Sequence, residues 1–510
     1  MQLTLAKKPS IGRWNVSSHV IKRYFGASTC ALLLVPVILS ENGYSWLETF
    51  LGLLLLVICV YPSARYMARR EAGLPTMAVF CGAYAIQFAF PIFTRDATIE
   101  LVYGGVKYLD ESHVTAALLL AIVGICALQA GYYWFQRSDY YRRAVPVAHL
   151  PLAKSKAIVY CILVGIFLPL LFTFKGIIPE EFQQSLSAIL RLLENQELVV
   201  IGILGWIVYG RKESKFYAVW LYAVVMVASM RSMSMGTLEG SLIPIGVLLV
   251  VKWLCTGRIP VGLIVATAAL IVFLSPVKLE YRARLGRGED PELAEHFSLI
   301  SGRFWIEQAT DYWKETLAGN RGLAEATERA MGRTDFIHQV AHIYSMTPEV
   351  IPYQYGRTYT FFAVALIPRV IWPDKPTAGS ANGFYAVTYG ITSEEGAKRT
   401  TFGVSILGEA FINFGWVGVV FVMLLLGILI GVMHHSFGGF ESGPGGQAVF
   451  IAFFVYFLNG IGSSAEIMFG GILQNLLCGY VLLLWAKEKT GRPLVGSSSF
   501  ISPVSLSNKS

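Results

Sequence analysis

Charged side chains are scarce in this chain of 510 residues. Asp, Glu, Lys and Arg together make up 15% of the sequence, whereas apolar residues make up 55% and the mean hydropathy is +0.55. Soluble globular domains carry about 25% charged residues. The composition therefore excludes an ordinary soluble protein and favours one that lies largely in a membrane.

Cysteine is absent from the one long polar stretch of the chain, residues 278–402. Six of the seven cysteines lie in apolar runs, and Cys255 lies at a helix end. This distribution excludes a disulfide framework or a cysteine-based metal site in the long segment. His338 and His342 have the spacing of a helical zinc site, but Gln339 stands where a metalloprotease needs its glutamate base. A protease is therefore excluded, and His338 stays a candidate for binding or deprotonating a substrate hydroxyl.

Long apolar runs recur along the chain, most of them with the ~17–25 residues that a helix needs to cross the hydrocarbon core. They predict an all-α polytopic membrane protein with about 12 transmembrane helices and one large extracytoplasmic loop between helices 9 and 10. The runs lie near residues 24–40, 46–64, 76–93, 114–135, 157–174, 198–210, 216–231, 237–254, 261–277, 404–434, 447–462 and 468–485. The run 404–434 is long for one helix, and we expect a bend at Gly415.

Basic residues are distributed unequally between the segments that join these helices. With the N-terminus inside, the inner segments carry 22 Lys and Arg residues and the short outer loops carry five. Because cytoplasmic loops are enriched in Lys and Arg, both termini are expected in the cytoplasm and segment 278–402 outside. The expected parts are residues 1–277 with a basic arm and helices 1–9, the large loop 278–402, residues 403–490 with helices 10–12, and a disordered tail, 491–510.

The long outer loop has its own helical pattern. Apolar residues recur at helical spacing around 291–330, which predicts amphipathic helices on the membrane surface, and a further helix is expected over Phe336–Met346. The apolar run Tyr359–Val370 is too short to span a bilayer and fits a re-entrant or interfacial helix. Trp372 follows it and suits the headgroup level. The charges of the loop nearly cancel, with 14 Lys and Arg against 15 Asp and Glu, so nothing indicates a nucleic-acid partner.

Cationic side chains collect on the outer side, where the planar fork of arginine matches phosphate oxygens. Glu409 lies among apolar residues at the start of helix 10 and suits an acid, a base or an orienting group. The simpler interpretation is that the arginines extend to lipid headgroups and that Glu409 pairs with one of them or caps a turn. Glu466 is expected to be an ordinary loop residue. The candidate cations are Arg231, Arg282, Arg284, Arg357, Arg369 and Lys375.

Several blocks of this region resemble those of bacterial O-antigen and exopolysaccharide polymerases of the Wzy type. The similarity in topology extends over most of the chain, whereas the recognisable motif is confined to residues 355–415. The blocks are Tyr355-Gly356-Arg357-Thr358-Tyr359, Ile367-Pro368-Arg369, Trp372-Pro373-Asp374-Lys375-Pro376, Gly408-Glu409 and Asn413-Phe414-Gly415, together with Arg231 at the outer end of a middle helix.

The resemblance implies a glycosyltransferase of the bacterial plasma (inner) membrane. Such an enzyme transfers a growing glycan from undecaprenyl diphosphate to another lipid-linked repeat unit, making O-antigen or exopolysaccharide without a cofactor or a metal. The lipid-linked oligosaccharide and the bilayer are then its partners, with a chain-length regulator and a flippase as further ones. We expect Glu409, Arg369 and Arg231 to be catalytic. The substrate-binding residues expected are Arg357, Arg282, Tyr359, Trp372, Lys375 and His338.

Three other functions remain open at this point. An O-antigen ligase would use the same donor and topology with a lipid A acceptor. A transporter or flippase of lipid-linked sugars would need polar residues along a path through the membrane, which helices 1–6 almost lack. A structural membrane protein would leave the dense motif of residues 355–376 unexplained.

Overall fold

The computed structural model describes residues 27, 44–69, 74–94, 110–167, 193, 196–210, 215–234, 238–256, 260–278, 281, 284, 299–318, 335–366, 372, 380–399 and 402–487. Regular structure in these ranges is helical, apart from an isolated β-bridge between Leu152 and Lys487. Among the described residues, five helices are long and apolar enough to span a membrane: Trp46–Tyr66, Glu111–Arg137, Lys215–Met233, Ile406–Gly438 and Ala465–Ala486. An all-helical, multi-pass membrane protein is thereby confirmed. The count of twelve spans stays a prediction, since the run 24–40 lies almost wholly outside the described residues.

The α-helices of nine or more described residues are numbered in chain order. The first eight are α1 (Trp46–Arg69), α2 (Thr76–Phe88), α3 (Glu111–Arg137), α4 (Lys154–Ile162), α5 (Glu197–Gly205), α6 (Lys215–Ser234), α7 (Leu238–Thr256) and α8 (Val261–Leu274). The others are α9 (Leu299–Leu317), α10 (Ile337–Met346), α11 (Arg357–Leu366), α12 (Ser380–Thr388), α13 (Ile406–Met433), α14 (Gly443–Asn459) and α15 (Ala465–Ala486). Both α4 and α5 continue as short π-helices, to Phe167 and Gly210.

The central packing of the bundle is between α3 and α13. Gly131 of α3 lies against the carbonyl of Leu424, and Gly427 of α13 lies against the carbonyl of Leu128. A side chain at either glycine would collide with the facing backbone. In a lipid bilayer the hydrophobic effect does not drive helices together. Small residues of this kind let the helices approach closely, so that they associate through van der Waals packing.

The bundle has two chemically different ends. At one end, the backbone amide of Phe336 in the long loop donates a hydrogen bond to the carbonyl of Gln87, just before the end of α2. We call this the loop end. At the other end, Thr76 at the start of α2 contacts His434 at the end of α13. This second end, which we call the basic end, also holds Lys156, whose ammonium donates to the carbonyl of Trp485.

The helices expected within the long loop are present. The structure has α9 inside the amphipathic region and α10 at the position expected for the second loop helix. The Trp305 side chain of α9 is fully buried, in a small cluster with Leu274 at the end of α8 and with Val277 and Tyr281 beyond it. The short apolar run begins as α11, and residues 367–371 at its expected end lie outside the described part.

Gly415 interrupts α13, as the sequence predicts. Its backbone angles are φ 60° and ψ −146°, which residues other than glycine rarely adopt. A methyl group at this position would also lie 2.8 Å from the hydroxyl oxygen of Tyr353. The bend therefore depends on glycine twice, through its backbone angles and through its close contact.

Replacing Gly415 with alanine is expected to destabilise the protein by about 1–3 kcal/mol, the usual cost of such strained angles. Membrane abundance should fall, as measured by immunoblot. Gly82→Ala is the matched control, because a methyl group there meets nothing within 4 Å and the substitution raises helix propensity. Equal abundance of the two variants would contradict the strain argument.

Candidate active site

Two of the sequence blocks meet at a buried carboxylate, that of Glu409 on α13. Its side chain is 1% exposed. Oε1 accepts a hydrogen bond from the hydroxyl of Thr358 at 2.7 Å, and Oε2 accepts one from the amide of Ala465 at 2.6 Å. The side-chain nitrogen Nδ2 of Asn413 donates to Thr358 Oγ1 at 2.7 Å and to the backbone carbonyl of Glu409 at 2.8 Å. We call Thr358, Glu409, Asn413 and Ala465 the Glu409 junction.

The interruption at Gly415 explains why the segment before α11 binds here. In an uninterrupted helix, the carbonyls of Ile412 and Asn413 would accept amides one turn further on. Here they accept the amides of Gln354 and Tyr355 instead, at 3.0 and 3.1 Å. The loop before α11 is therefore attached to α13 through backbone bonds that the bend makes available.

Arg357 lies at the exposed edge of this junction. It begins α11, one residue before Thr358, and its guanidinium group lies 5.9 Å from the ring centre of Phe384. No carboxylate among the described residues pairs with it. Tyr355 is 78% exposed beside it. An arginine without an anionic partner at the loop end is suited to bind a phosphate group.

Tyr359 lies between the exposed edge and the buried carboxylate. Its ring stacks on Phe414 with the centroids 6.4 Å apart. Burial, and then the charge of Glu409, raise the pKa of its hydroxyl. The hydroxyl is buried and no described residue binds it. The group therefore keeps its proton and can donate a hydrogen bond to a bound molecule.

Glu466 is buried, so its interpretation as an ordinary loop residue is wrong. It is 4% exposed and lies in the first turn of α15, where its carboxylate accepts the amide of Ala381 at 3.4 Å. Asn382 nearby accepts the amides of Val404 and Ser464. Carboxylates are favourable at helix N-termini. Here Glu409 connects α13 to the start of α15, and Glu466 connects the starts of α15 and α12.

Arg231 lies on α6 in a separate ion pair. Its two terminal nitrogens donate to both carboxylate oxygens of Glu197 on α5, at 2.6 and 3.0 Å. The side chains are 16% and 3% exposed. Both charges of such an intramembrane ion pair have to be present, because either charge alone in the apolar interior would destabilise the folded protein. Glu197 was not singled out in the sequence, although it directly precedes the apolar run 198–210 and could have been recognised as an acidic residue next to a membrane segment.

His338 is buried on α10 with two partners that the sequence did not indicate. Its Nδ1 lies 2.7 and 2.8 Å from the carboxylate oxygens of Asp335, and its Nε2 lies 2.9 Å from the hydroxyl of Tyr44. His342, one turn later, binds the backbone carbonyl of Tyr389 through Nε2. The two histidines therefore have different environments despite their spacing.

The structure describes only some of the remaining candidate residues. Arg282, Arg369 and Lys375 lie outside the described residues, and Trp372 is 41% exposed. In the part of the chain that the structure describes, no group of three His, Cys, Asp or Glu side chains could hold a metal ion. The structure thus brings Arg357, Tyr359 and Glu409 together, and it gives Arg231 and His338 separate partners.

One known family resembles the part of the chain that holds the Glu409 junction. Residues 329–490 match the family model of the O-antigen polysaccharide polymerase Wzy. This part of the chain is therefore similar to Wzy-type O-antigen polymerases. The match confirms the resemblance seen in the sequence blocks. No curated protein and no solved structure matches the chain significantly.

The Wzy match covers the Glu409 junction together with Asp335 and His338. Arg231, Glu197 and Tyr44 lie before the matched residues. The name of the family is that of a polymerase of O-antigen polysaccharide. The Glu409 junction therefore lies within the residues that resemble the polymerase family, and Tyr44, which contacts His338, lies outside them.

Proposed function

We propose that the protein polymerises undecaprenyl-diphosphate-linked oligosaccharide repeat units into O-antigen or exopolysaccharide at the outer face of the plasma membrane. The reaction is a glycosyl transfer with the lipid diphosphate as leaving group. Both termini lie in the cytoplasm in this proposal, and the loop end faces outwards. The separation of the basic end from the loop end supports that orientation.

The Glu409 junction is the observation that carries the proposal. It holds the start of α11 against α13 through Thr358, and so it fixes Arg357 at the exposed edge. The leaving diphosphate gains negative charge as the glycosidic bond breaks, and a preorganised guanidinium group stabilises that charge. No metal ion is needed for this step in the proposal.

The site residues divide into three roles. Arg357 binds the diphosphate, with Arg369, Arg282 and Lys375 as further cations of the same site, and Trp372 contacts the lipid or the sugar. Tyr359 donates a hydrogen bond to the substrate. Glu409 orients the site, because both of its oxygens already accept hydrogen bonds from the protein.

The test of the proposal is Arg357→Lys in a strain that lacks the chromosomal copy. Lysine keeps the charge but cannot form two parallel bonds to phosphate, so we expect polymer formation to fall about tenfold or more, seen as shortened ladders on glycan gels. Arg303→Lys is the matched control. Arg303 is an exposed arginine on α9 that pairs with Glu307 at 2.7 Å, and its replacement should leave the ladder unchanged.

The same gels separate the polymerase from a ligase. A deletion strain that retains single-unit products supports the polymerase, whereas loss of surface polymer with intact lipid-linked chains indicates a ligase. Normal ladders from Arg357→Lys would show that this arginine does not bind the diphosphate.

A further inference from the structure

Asp335, His338 and Tyr44 form a continuous chain of hydrogen bonds at the loop end, which we call the relay. Asp335 and His338 are fully buried, with 1% of each side chain exposed, whereas Tyr44 is only half-buried. The chain of bonds therefore leads from a buried carboxylate, through an imidazole, to a hydroxyl group nearer the surface.

The protonation of this chain follows from its chemistry. An ionised carboxylate can only accept hydrogen bonds, so Nδ1 of His338 carries the proton between the ring and Asp335. In the neutral ring, Nε2 then has a free electron pair and accepts a hydrogen bond from the hydroxyl of Tyr44. The same order of carboxylate, imidazole and hydroxyl activates nucleophilic oxygens in unrelated enzymes.

Local structure fixes the position of Tyr44. Ser45 and Glu48 form a capping box at the start of α1: the amide of Ser45 donates to Glu48 Oε2 at 2.9 Å, and the Glu48 amide donates to Ser45 Oγ at 3.4 Å. Tyr44 is the residue just before this cap. Its backbone is therefore held at a helix start, and its hydroxyl is directed to His338.

The relay lies close to the Glu409 junction. Phe336, next to Asp335, packs against Gly403 and Gly462. Gly462 is three residues before Ala465, whose amide binds Glu409. The hydroxyl of Tyr44 and the exposed edge at Arg357 therefore belong to one end of the bundle, where a donor and an acceptor sugar would meet.

We propose that Tyr44 is a catalytic residue that removes the proton from the acceptor hydroxyl, with His338 and Asp335 as its positioning and proton-accepting partners. This proposal rests on the glycosyl transfer proposed above. The acceptor oxygen forms a bond to the anomeric carbon of the donor. The bond from that carbon to the diphosphate oxygen breaks, and its electron pair leaves with the diphosphate.

The proton moves in the same step. It passes from the acceptor hydroxyl to the oxygen of Tyr44, while the proton of Tyr44 passes to Nε2 of His338. Asp335 stabilises the imidazolium that forms, and the proton returns to water through Tyr44 after the product leaves. Glu48 on α1 and both Glu111 and His113 on α3 are titratable groups near the relay. His342 and Tyr344 lie on α10 itself.

The test uses isolated membranes that contain each full-length variant, supplied with lipid-linked repeat units extracted from the deletion strain. Tyr44→Phe keeps the ring and removes only the hydroxyl. Because general base catalysis contributes about 10²–10⁴-fold, we expect kcat to fall about a hundredfold, with KM within about twofold of wild type. Asp335→Asn should lower kcat similarly, since a neutral amide no longer stabilises the imidazolium.

Tyr84→Phe is the matched control. The hydroxyl of Tyr84 is buried and donates to the carbonyl of Ala121 at 3.0 Å, so its removal loses a structural bond and should leave kcat near the wild-type value. All rates are normalised to the amount of each variant in the membrane. If Asp335→Asn fails to accumulate, Tyr44→Phe decides.

The outcomes separate the two proposals. A wild-type protein that forms no polymer in this assay overturns the proposed function itself. A polymerising wild type with an unchanged kcat in Tyr44→Phe, or with a change in KM alone, overturns the relay and leaves the polymerase proposal intact.

Discussion

Glu409→Gln is expected to reduce polymer formation about ten- to a hundredfold. Both carboxylate oxygens accept hydrogen bonds, from Thr358 and from Ala465. Glutamine offers one oxygen and one NH₂ group, so one of the two buried donors loses its acceptor. Hydrogen bonds to charged groups contribute ~1.5–3 kcal/mol, which matches the expected change in rate. The measurement is the rate of ladder formation at equal membrane abundance.

Variants at Thr358 test whether Glu409 acts by holding α11. Thr358→Ser keeps the hydroxyl and should retain most activity, whereas Thr358→Val removes it and should resemble Glu409→Gln. Because the two side chains share one bond, the double variant should be little worse than either single one. Glu307→Gln is the control, since Glu307 is exposed on α9. Additive losses would mean that Glu409 acts independently of Thr358.

The dependence of the rate on pH distinguishes the two roles considered for Glu409. A general base is active only when it is ionised, so the rate would rise with pH as Glu409 loses its proton. An orienting carboxylate need not produce that dependence. The structure favours the orienting role, because both oxygens are already engaged by the protein.

Local signals in the sequence were sufficient to predict several features. The strict need for glycine at a bend predicted the interruption of α13 at Gly415, and helical spacing predicted α10. The blocks around Arg357 and Glu409 were singled out together, and the structure places them in contact through Thr358. Each of these features depends on neighbouring residues or on one residue type, which a single sequence displays directly.

Partners distant in the sequence could not be predicted in the same way. Tyr44 and His338 are separated by 294 positions, and Arg231 and Glu197 by 34. Helical periodicity shows which face of a helix is apolar, but it does not show which helix covers that face. A single polar residue can then face any of several neighbours, so its partner depends on the tertiary packing.

Glu466 illustrates how a boundary error becomes a wrong interpretation. The gap between the apolar runs 447–462 and 468–485 placed Glu466 in a turn, where an exposed carboxylate is ordinary. In the structure α15 already begins at Ala465, and the start of α12 covers the turn. The carboxylate is buried because a loop segment far away in the sequence packs over it.

Removing one charge of the Arg231–Glu197 pair is the other change expected to have a large effect. Arg231→Ala removes the guanidinium group that binds both oxygens of the buried Glu197 carboxylate. Breaking a buried ion pair from one side typically costs ~3–5 kcal/mol. Membrane abundance and polymer should both fall strongly. Arg231→Lys should fall less in abundance, since it keeps one charge but cannot match both carboxylate oxygens.

A variant without either charge separates the structural role of this pair from a catalytic one. Buried ion pairs can often be replaced by apolar residues of similar volume without loss of stability. Arg231→Met combined with Glu197→Leu should therefore restore membrane abundance. If Arg231 also stabilises the leaving diphosphate, as proposed from the sequence, the double variant accumulates normally and still forms no polymer. If it forms normal ladders, the function of Arg231 is to neutralise Glu197, and the diphosphate is then bound by the cations near Arg357.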